Sequence, residues 1–235
     1  MRSSLLILLL AAAVSLHAQP CPDLPWDASI THSINWIDSP ALTSSSQAVS
    51  NSLLPLGLGL PTVLFLGSHI MSFDNCETAP RMAKAGIQMG TTLAATYALT
   101  YGLKELFGRA RPYQAYPDCI RNGETNGDAS FPSGHSAGSA ALATSLSLAY
   151  PEWYVIVPSV GYALWTGFAR MNLGVHYITD VVAGYAVGVG TALLVHALRE
   201  HVFDIAEPLI PDGCGRVSSI MVVPITNVFS IAVSF

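Results

Sequence analysis

The amino-acid sequence predicts an all-α fold, in which a membrane-embedded bundle of five core helices is followed by a short C-terminal β-hairpin. Apolar residues make up 51% of the 235 residues, and Asp, Glu, Lys and Arg together make up 11%. Charged residues are roughly 25% of a typical soluble domain. Five stretches without any of these charges each reach the length of about 17 residues that a bilayer-spanning helix needs. These stretches are 39–73, 85–103, 129–151, 153–169 and 181–198.

The charge balance excludes several classes of protein. The chain has 15 acidic and 10 basic residues, which gives a formal net charge of −5. No surplus of cations is therefore available to cover a nucleic acid, and the high apolar content excludes a disordered chain. A soluble domain with buried helices has a similar composition, so that alternative to membrane integration stays open.

Residues 1–18 have the pattern of a secretory signal peptide. Arg2 is followed by a leucine-rich apolar run and by small residues near Ala18, which is the usual order of charge, apolar core and cleavage site. We therefore expect the chain to be exported. Residue 19 is expected on the outer side of the membrane whether or not the segment is cleaved.

The rest of the chain divides into three predicted parts. Residues 19–50 form an N-terminal segment, in which isoleucines at helical spacing indicate an interfacial helix. Residues 51–200 form the helical domain, and residues 201–235 form a tail. The five helices of the domain, A to E, are placed at 52–72, 83–106, 133–150, 153–170 and 176–198.

Two other segments have distinct patterns. Residues 229–235 alternate between apolar and small side chains with a period of two, which is typical of a strand, and residues 220–225 supply a partner for a hairpin. The loop 107–132 is long and rich in Pro, Gly, Asn and Asp. Long loops in compact domains are usually functional.

Polar side chains gather where four of the predicted helices meet. Helices joined by short loops alternate in direction, so the end of B, the start of C, the end of D and the start of E share one face of the bundle. Taken singly, each side chain could cap a helix or balance its dipole. Ionisable groups gathered at the ends of membrane helices are functional by default. The cluster consists of Lys104, Arg109, Arg111, Ser133, His135, Arg170, His176 and Asp180.

This cluster has the chemistry needed for phosphoryl transfer. Guanidinium groups match the geometry of phosphate oxygens, and the start of a helix at Ser133 and Gly134 offers backbone N–H groups to an anion. His176 is one helical turn before Asp180, so a carboxylate can orient this candidate nucleophile. His135 can protonate the leaving oxygen. We expect neither a metal nor another cofactor.

Three motifs carry a resemblance to a known family: Lys104-x6-Arg111-Pro112, Pro132-Ser133-Gly134-His135 and Arg170-x5-His176-x3-Asp180. They resemble the three-part signature of the type 2 phosphatidic acid phosphatase and vanadium haloperoxidase superfamily, in order and at matching spacing. The resemblance implies the corresponding helical fold over roughly residues 30–198, similar to bacterial lipid phosphate phosphatases. The third motif usually begins with Ser, and here that position is Ala169.

The resemblance also implies a role for each residue. His176 would attack phosphorus, Asp180 would orient His176, and His135 would be the general acid. Arg109 lies outside the signature, and we expect it to meet a headgroup or a second phosphate. The phosphate oxygens would be held by Lys104, Arg111 and Arg170, assisted by Ser133 and Gly134.

We therefore expect a phosphatase acting on a lipid phosphate monoester or diphosphate at the periplasmic face of a bacterial inner membrane. A soluble, exported, non-specific acid phosphatase of the same superfamily is the main alternative. A vanadate-dependent haloperoxidase is less favoured, because such enzymes are generally larger and no halide site is indicated. The expected partners are the lipid substrate and the bilayer, without nucleic acid, and the oligomeric state stays open.

The four cysteines bear on the choice between a membrane and a soluble protein. The alternation of helix direction places Cys21 and Cys119 on the face of the site, and Cys76 and Cys214 on the opposite face. If the bundle spans the inner membrane, only the first two meet an oxidising compartment. The sequence alone does not choose among the possible pairings.

Overall fold

The computed structural model describes residues 21, 23–71, 77–124, 127, 129–211, 221–225 and 228–232. The predicted signal peptide, Cys76 and Cys214 lie outside the described residues. The described part of the chain is predominantly helical, which confirms the helical class that the sequence predicts.

The helices form one bundle. A 3₁₀ turn at Glu207–Leu209 follows the last helix, and strands β1, Met221–Ile225, and β2, Val228–Ala232, pair antiparallel with Met221 opposite Ala232. The helices are α1 at Trp26–Asn35, α2 at Pro40–Met71, α3 at Thr78–Phe107, α4 at Pro112–Ala115, α5 at Gly134–Ala149, α6 at Trp153–Asn172, α7 at Ile178–Ala197 and α8 at Arg199–Ala206. The longest connection of the bundle is the loop between α3 and α5, which contains the four-residue helix α4.

Helix α2 begins at Pro40, well before the predicted start near residue 52. The apolar pattern does not indicate this first part, because it is rich in serine and threonine. Some of its serine hydroxyls bond within the helix, as when Ser45 donates to the carbonyl of Leu42 at 2.8 Å. Ser46, Val49 and Ser50 are buried at helical spacing. The buried face of α2 is therefore continuous through a polar stretch that we expected to lie outside the helix.

Two glycines bring α5 and α7 into close contact. A Cβ atom on Gly184 would lie 2.6 Å from the carbonyl oxygen of Ser133, and one on Gly188 would lie 2.2 Å from that of Ala137. No side chain fits at these distances, so these glycines allow the two helices to pack closely. The contact places the start of α7 beside the start of α5, where the backbone N–H of Ser133 donates to the carbonyl of Asp180 at 3.0 Å.

The outer surface of the bundle is apolar along several helices. Within the described residues, α2 and α7 are long and apolar enough to cross a membrane, by length and composition. Large apolar side chains point outward on α2, α3, α6 and α7. Examples are Leu58, Val63, Leu66, Leu99, Val157, Leu164 and Leu194. Such a surface is unusual for a protein coated by water.

A disulfide bond ties the N-terminal segment to the long loop. Cys21 and Cys119 are joined with a Cα–Cα distance of 5.9 Å. Both cysteines thus lie on the same face of the bundle, as predicted from the alternation of helix direction. The bond holds the chain before α1 against the loop that leads from α3 to α5.

Candidate active site

Three buried cations converge at one end of the bundle. Lys104 lies in the last turn of α3, Arg111 immediately precedes α4, and Arg170 lies near the end of α6. At most 6% of each residue's surface is exposed. Buried charges require partners. The Lys104 ammonium donates to the carbonyl of Ala129, and Arg111 Nη1 donates to the carbonyl of Val175 at 3.0 Å.

His176 lies between these cations and a carboxylate. Its Nδ1 atom is 3.5 Å from Asp180 Oδ2, and its Nε2 atom is 3.2 Å from Arg111 Nη1. The ring is buried, and Nε2 is the atom that lies beside Arg111. The histidine and the carboxylate therefore have the relative positions that the sequence predicts.

The surroundings of His176 keep its ring neutral. Burial first, and then the positive charges of Arg170, Arg111 and Lys104, lower the pKa of His176 well below its ordinary value. A histidine with a lowered pKa loses its proton at lower pH than usual. The ring therefore retains an unprotonated nitrogen at lower pH than an ordinary histidine does.

Asp180 is fixed by three further donors. Its Oδ2 atom accepts from Ser130 Oγ at 2.5 Å and from the backbone N–H of Tyr177 at 2.9 Å, and its Oδ1 atom accepts from Arg109 Nη1 at 2.7 Å. Ser130 also lies 3.4 Å from His176 Nδ1. Sequence reasoning missed Ser130, because a serine in a long loop has no spacing that links it to a helix start.

We expected Arg109 to meet a headgroup or a second phosphate. In the structure its guanidinium contacts other residues of the protein instead. The Arg109 guanidinium bonds Asp180, the hydroxyl of Thr179 at 2.7 Å and Asp27 at 2.5 Å. It also stacks over the ring of Tyr177, with its central carbon 3.7 Å from the ring centroid. The physical reason is that a carboxylate on each side of the guanidinium compensates its charge within the protein.

Arg170 has two partners that the sequence did not indicate. Its Nη1 atom donates to Ser50 Oγ of α2 and to Glu124 Oε2 at 2.6 Å. Ser50 in turn donates to Glu124 at 3.0 Å. Burial raises the pKa of Glu124, but the charge of Arg170 and these hydrogen bonds lower it by more, so it ends below its ordinary value. A hydroxyl from α2 thus contacts the arginine of the third motif, whose usual serine is Ala169 here.

Ser133, Gly134 and His135 open α5 at the same end of the bundle. The Ser133 hydroxyl caps the helix by accepting from the backbone N–H of Ser136 at 3.3 Å and from its hydroxyl at 2.9 Å. This cap fixes the direction of the first turn. Gly134 and His135 are partly exposed and line a cavity together with Lys104.

This cavity adjoins an apolar groove between α2 and α3. The cavity at the site has a volume of about 480 Å³, and the groove has about 460 Å³, each within the range of pockets that hold small molecules. Leu53, Leu54 and Tyr97 line both. Beyond them the groove follows α2 to Leu66 and α3 to Ile87. The cavity at the site and the apolar groove are therefore neighbours along the outside of the bundle.

No group of three or more His, Cys, Asp or Glu side chains that could hold a metal ion occurs among the described residues. The candidate site consists instead of cations, two histidines and the carboxylates that pair with them.

Comparisons with known proteins identify the family of the chain. Residues 85–203 match the model of the PAP2 superfamily. The chain is 30% identical to the lipid A 1-phosphatase of Rhizobium etli over 82% of this chain and 92% of the relative. It is 29% identical to the undecaprenyl-diphosphatase BcrC of Bacillus subtilis over 60% of this chain and 67% of the relative.

A solved structure has the same fold. The crystal structure of a transmembrane PAP2 type phosphatidylglycerolphosphate phosphatase from Bacillus subtilis aligns with a TM-score of 0.60 and 25% sequence identity, covering 84% of this chain and 94% of that one. The matched family region contains all the residues of the three motifs. The chain therefore belongs to the PAP2 superfamily and is a phosphoric ester hydrolase.

Proposed function

We propose that the protein removes phosphate from a membrane lipid phosphate monoester or diphosphate, without a metal ion, through a phosphohistidine at His176. The observation that carries this proposal is the buried imidazole of His176, which has Asp180 on one side and Arg111 on the other. A carboxylate at Nδ1 favours the tautomer in which Nε2 carries the lone pair. That lone pair faces the three cations that attract a phosphate.

In the first chemical step, His176 Nε2 bonds to phosphorus as the bond from phosphorus to the lipid oxygen breaks. His135 gives its proton to that oxygen, and the leaving group is the lipid alcohol from a monoester or the lipid monophosphate from a diphosphate. Lys104, Arg111 and Arg170 stabilise the negative charge on the phosphate oxygens in the transition state. Asp180 stabilises the positive charge that develops on the imidazole.

In the second step, water attacks the phosphohistidine and His135 accepts a proton from it. Inorganic phosphate is released, and His176 returns to its neutral form. Gly134 and Ser133 assist as the N-terminus of α5 directs its backbone dipoles at the phosphate.

Binding of phosphate requires that Glu124 give up its contact with Arg170. Glu124 holds the guanidinium by a 2.6 Å ion pair, and its side chain is 30% exposed. Because an incoming phosphate carries more charge than one carboxylate, it competes effectively for the same guanidinium. Ser50 remains as a second contact for Arg170.

The apolar groove favours a lipid over a soluble phosphate ester. A small phosphate ester would use only the polar cavity, whereas an acyl or prenyl chain can extend between α2 and α3. The names of the relatives, which include a lipid A phosphatase and an undecaprenyl-diphosphatase, point to the same class of substrate.

We place the five long helices in a bacterial inner membrane, with the site at the periplasmic face. Residues 1–18 are the export signal, 19–50 an N-terminal segment with an interfacial helix, 51–200 the catalytic helical domain and 201–235 a tail with a C-terminal β-hairpin. The apolar outer surface of α2, α3, α6 and α7 supports this placement, as does the disulfide near the site, since disulfides form outside the cytoplasm.

Phosphate release from a panel of substrates tests the proposed function. The panel contains phosphatidic acid, phosphatidylglycerol phosphate, undecaprenyl diphosphate and lipid A in mixed micelles, with p-nitrophenyl phosphate as the soluble ester. We expect kcat/KM to be higher for at least one lipid than for the soluble ester, and activity to persist in EDTA. A preference for the soluble ester over every lipid would contradict the proposal.

A bulky side chain in the groove should discriminate between lipid and soluble substrates. Gly90 lines the groove, and a Cβ atom at this position would have no atom within 4 Å, so the side chain of Gly90→Phe starts in open space inside the groove. By excluding the acyl chain from its place between α2 and α3, the ring should misplace a long-chain lipid and lower its kcat/KM roughly 10-fold. Turnover of p-nitrophenyl phosphate should change less than about twofold, because the polar cavity is untouched.

The matched control for this substitution is Gly161→Phe. Gly161 is exposed on α6 and also has open space around it, but it does not line the groove. Both activities should remain near wild type. An equal loss of both activities in Gly90→Phe, or no loss of lipid turnover, is the result that counts against an acyl-chain groove.

Cysteine labelling tests the orientation in the membrane. In a Cys76→Ser, Cys214→Ser background, Ala115→Cys places a thiol at the end of the site and Pro151→Cys places one at the opposite end, both at exposed positions. A membrane-impermeant maleimide added to intact spheroplasts should label only Ala115→Cys, and lysis should expose Pro151→Cys. Labelling of both thiols before lysis would refute the spanning arrangement.

A further inference from the structure

We propose that helix α1 belongs to the catalytic machinery, with Asp27 acting through Arg109 as a positioning residue for Asp180 and His176. This inference rests on the proposed function of His176. Helix α1 precedes the region matched by the family model, which begins at residue 85. Nothing in the three motifs indicates that it contributes to the site.

One face of α1 lies against the segment that carries the nucleophile. Asp27, Thr31 and Asn35 are spaced four residues apart and are all buried, so they lie in a row on one side of the helix. The Thr31 hydroxyl is 3.4 Å from the carbonyl oxygen of His176. Asn35 donates to the carbonyl of Asn172 at 2.8 Å. The backbone on which His176 sits is therefore held by side chains of α1.

Asp27 is the member of this row that is linked to the charges of the site. Its Oδ2 atom accepts from Arg109 Nη2 at 2.5 Å and from Thr179 Oγ1 at 3.0 Å. Arg109 Nη1 in turn donates to Asp180 Oδ1 at 2.7 Å. An unbroken chain of hydrogen bonds thus runs from Asp27 through Arg109 to Asp180, whose other oxygen faces His176.

The charge of Asp27 determines how strongly Arg109 neutralises Asp180. One guanidinium between two carboxylates leaves the three groups with one net negative charge. Asp180 can then stabilise the positive charge that forms on His176 when Nε2 bonds to phosphorus. Without the charge of Asp27, Arg109 would pair with Asp180 alone, and the pair would be neutral. The imidazole would then lose electrostatic support in the transition state.

The disulfide bond helps to hold α1, and with it Asp27, against the site. Cys21 lies shortly before α1, and its bond to Cys119 ties the start of the helix to the loop that also carries Arg109. Asn35 supports the other end of α1 by accepting from the backbone N–H of Arg121 at 2.8 Å. Both ends of α1 are therefore attached to the loop between α3 and α5.

The test compares kcat and KM of wild type, Asp27→Asn and the control Asp38→Asn, with a lipid phosphate in mixed micelles. Asp38 is exposed and lies just beyond α1, so the control makes the same chemical change outside the network. We expect Asp27→Asn to lower kcat about 10- to 100-fold, less than the loss of a group that touches the reacting atoms, with KM changed less than threefold. Asp38→Asn should match wild type.

A double-mutant cycle separates action through Arg109 from general support of the fold. In an Arg109→Gln background, Asp27→Asn should change kcat by less than about twofold, because its effect is transmitted by the missing guanidinium. If the two losses multiply, or if Asp27→Asn alone keeps wild-type kcat, the proposal is overturned. The thermal unfolding midpoint in detergent shows whether each variant is folded.

A variant that retains the positive charge provides a second test if Asp27→Asn does not fold. Arg109→Lys replaces the fork with a single ammonium, which cannot bridge both carboxylates in the same way. A lower kcat at unchanged KM supports the proposal, and a wild-type kcat overturns it. If wild type releases no phosphate from lipids, the proposed substrate class is wrong. The same variants are then compared with p-nitrophenyl phosphate as the substrate, and this comparison still tests the role of Asp27.

Discussion

Replacing His176 by alanine is expected to lower kcat by at least about 10⁴-fold, because no other group in the site has a lone pair positioned to attack phosphorus. The substitution removes a buried neutral ring and leaves the three cations in place. Substrate should therefore still bind, and KM should change far less than kcat. Phosphate release and the affinity for a lipid phosphate are the two measurements.

The control for this variant is His201→Ala. His201 is exposed on α8 and is remote in sequence from the three motifs, so its loss should leave kcat unchanged. If folded His176→Ala still releases substantial phosphate, His176 is not the nucleophile, whatever the result for the control.

The second large effect is expected for Asp180→Asn, with a loss of kcat of about 10³- to 10⁴-fold, as for the loss of an orienting carboxylate in a catalytic triad. The amide keeps the shape of the side chain but not its charge, so His176 loses the group that fixes its tautomer and stabilises its positive form. Asp180 also accepts from Ser130 and Arg109. We therefore expect a lower unfolding temperature as well.

Kinetics and unfolding must be measured on the same preparation of Asp180→Asn. Asp118→Asn, at an exposed position in the long loop, is the matched control and should equal wild type in both. If Asp180→Asn is folded and its kcat is within tenfold of wild type, then Asp180 does not orient the nucleophile.

The sequence was sufficient to predict which helix ends lie together. The reason is physical: helices that cross the same layer in succession must alternate in direction, so their ends fall on two faces. Lys104, Arg111, Arg170, His176 and Asp180 could therefore be assigned to one face, and the structure brings these side chains together at one end of the bundle.

The residues that the sequence did not indicate share a different property. Ser50, Glu124 and Ser130 contact the site from the middle of a helix or from a long loop. Their positions depend on tertiary packing, and no periodicity or spacing encodes it. Asp27 was missed for the same reason, since a lone carboxylate on a short helix usually interacts only with solvent.

Arg109 illustrates the limit of reasoning from charge alone. Because Arg109 lies close in sequence to the cations of the first motif but outside the signature, we expected it to contact a headgroup or a second phosphate. In the structure two carboxylates from different parts of the chain lie on either side of it. A cation pairs with the opposite charge that lies nearest to it in the folded protein. The local sequence does not show which charge that is.

The most direct test of the central claim is to trap the phosphoenzyme. Wild type is mixed with a ³²P-labelled lipid phosphate, quenched in alkali within milliseconds, and digested for mass spectrometry. The account predicts label that is stable to alkali, lost in acid and located on His176, with no label in His176→Ala. Phosphate on any other residue, or turnover with no labelled enzyme at any quench time, would contradict it.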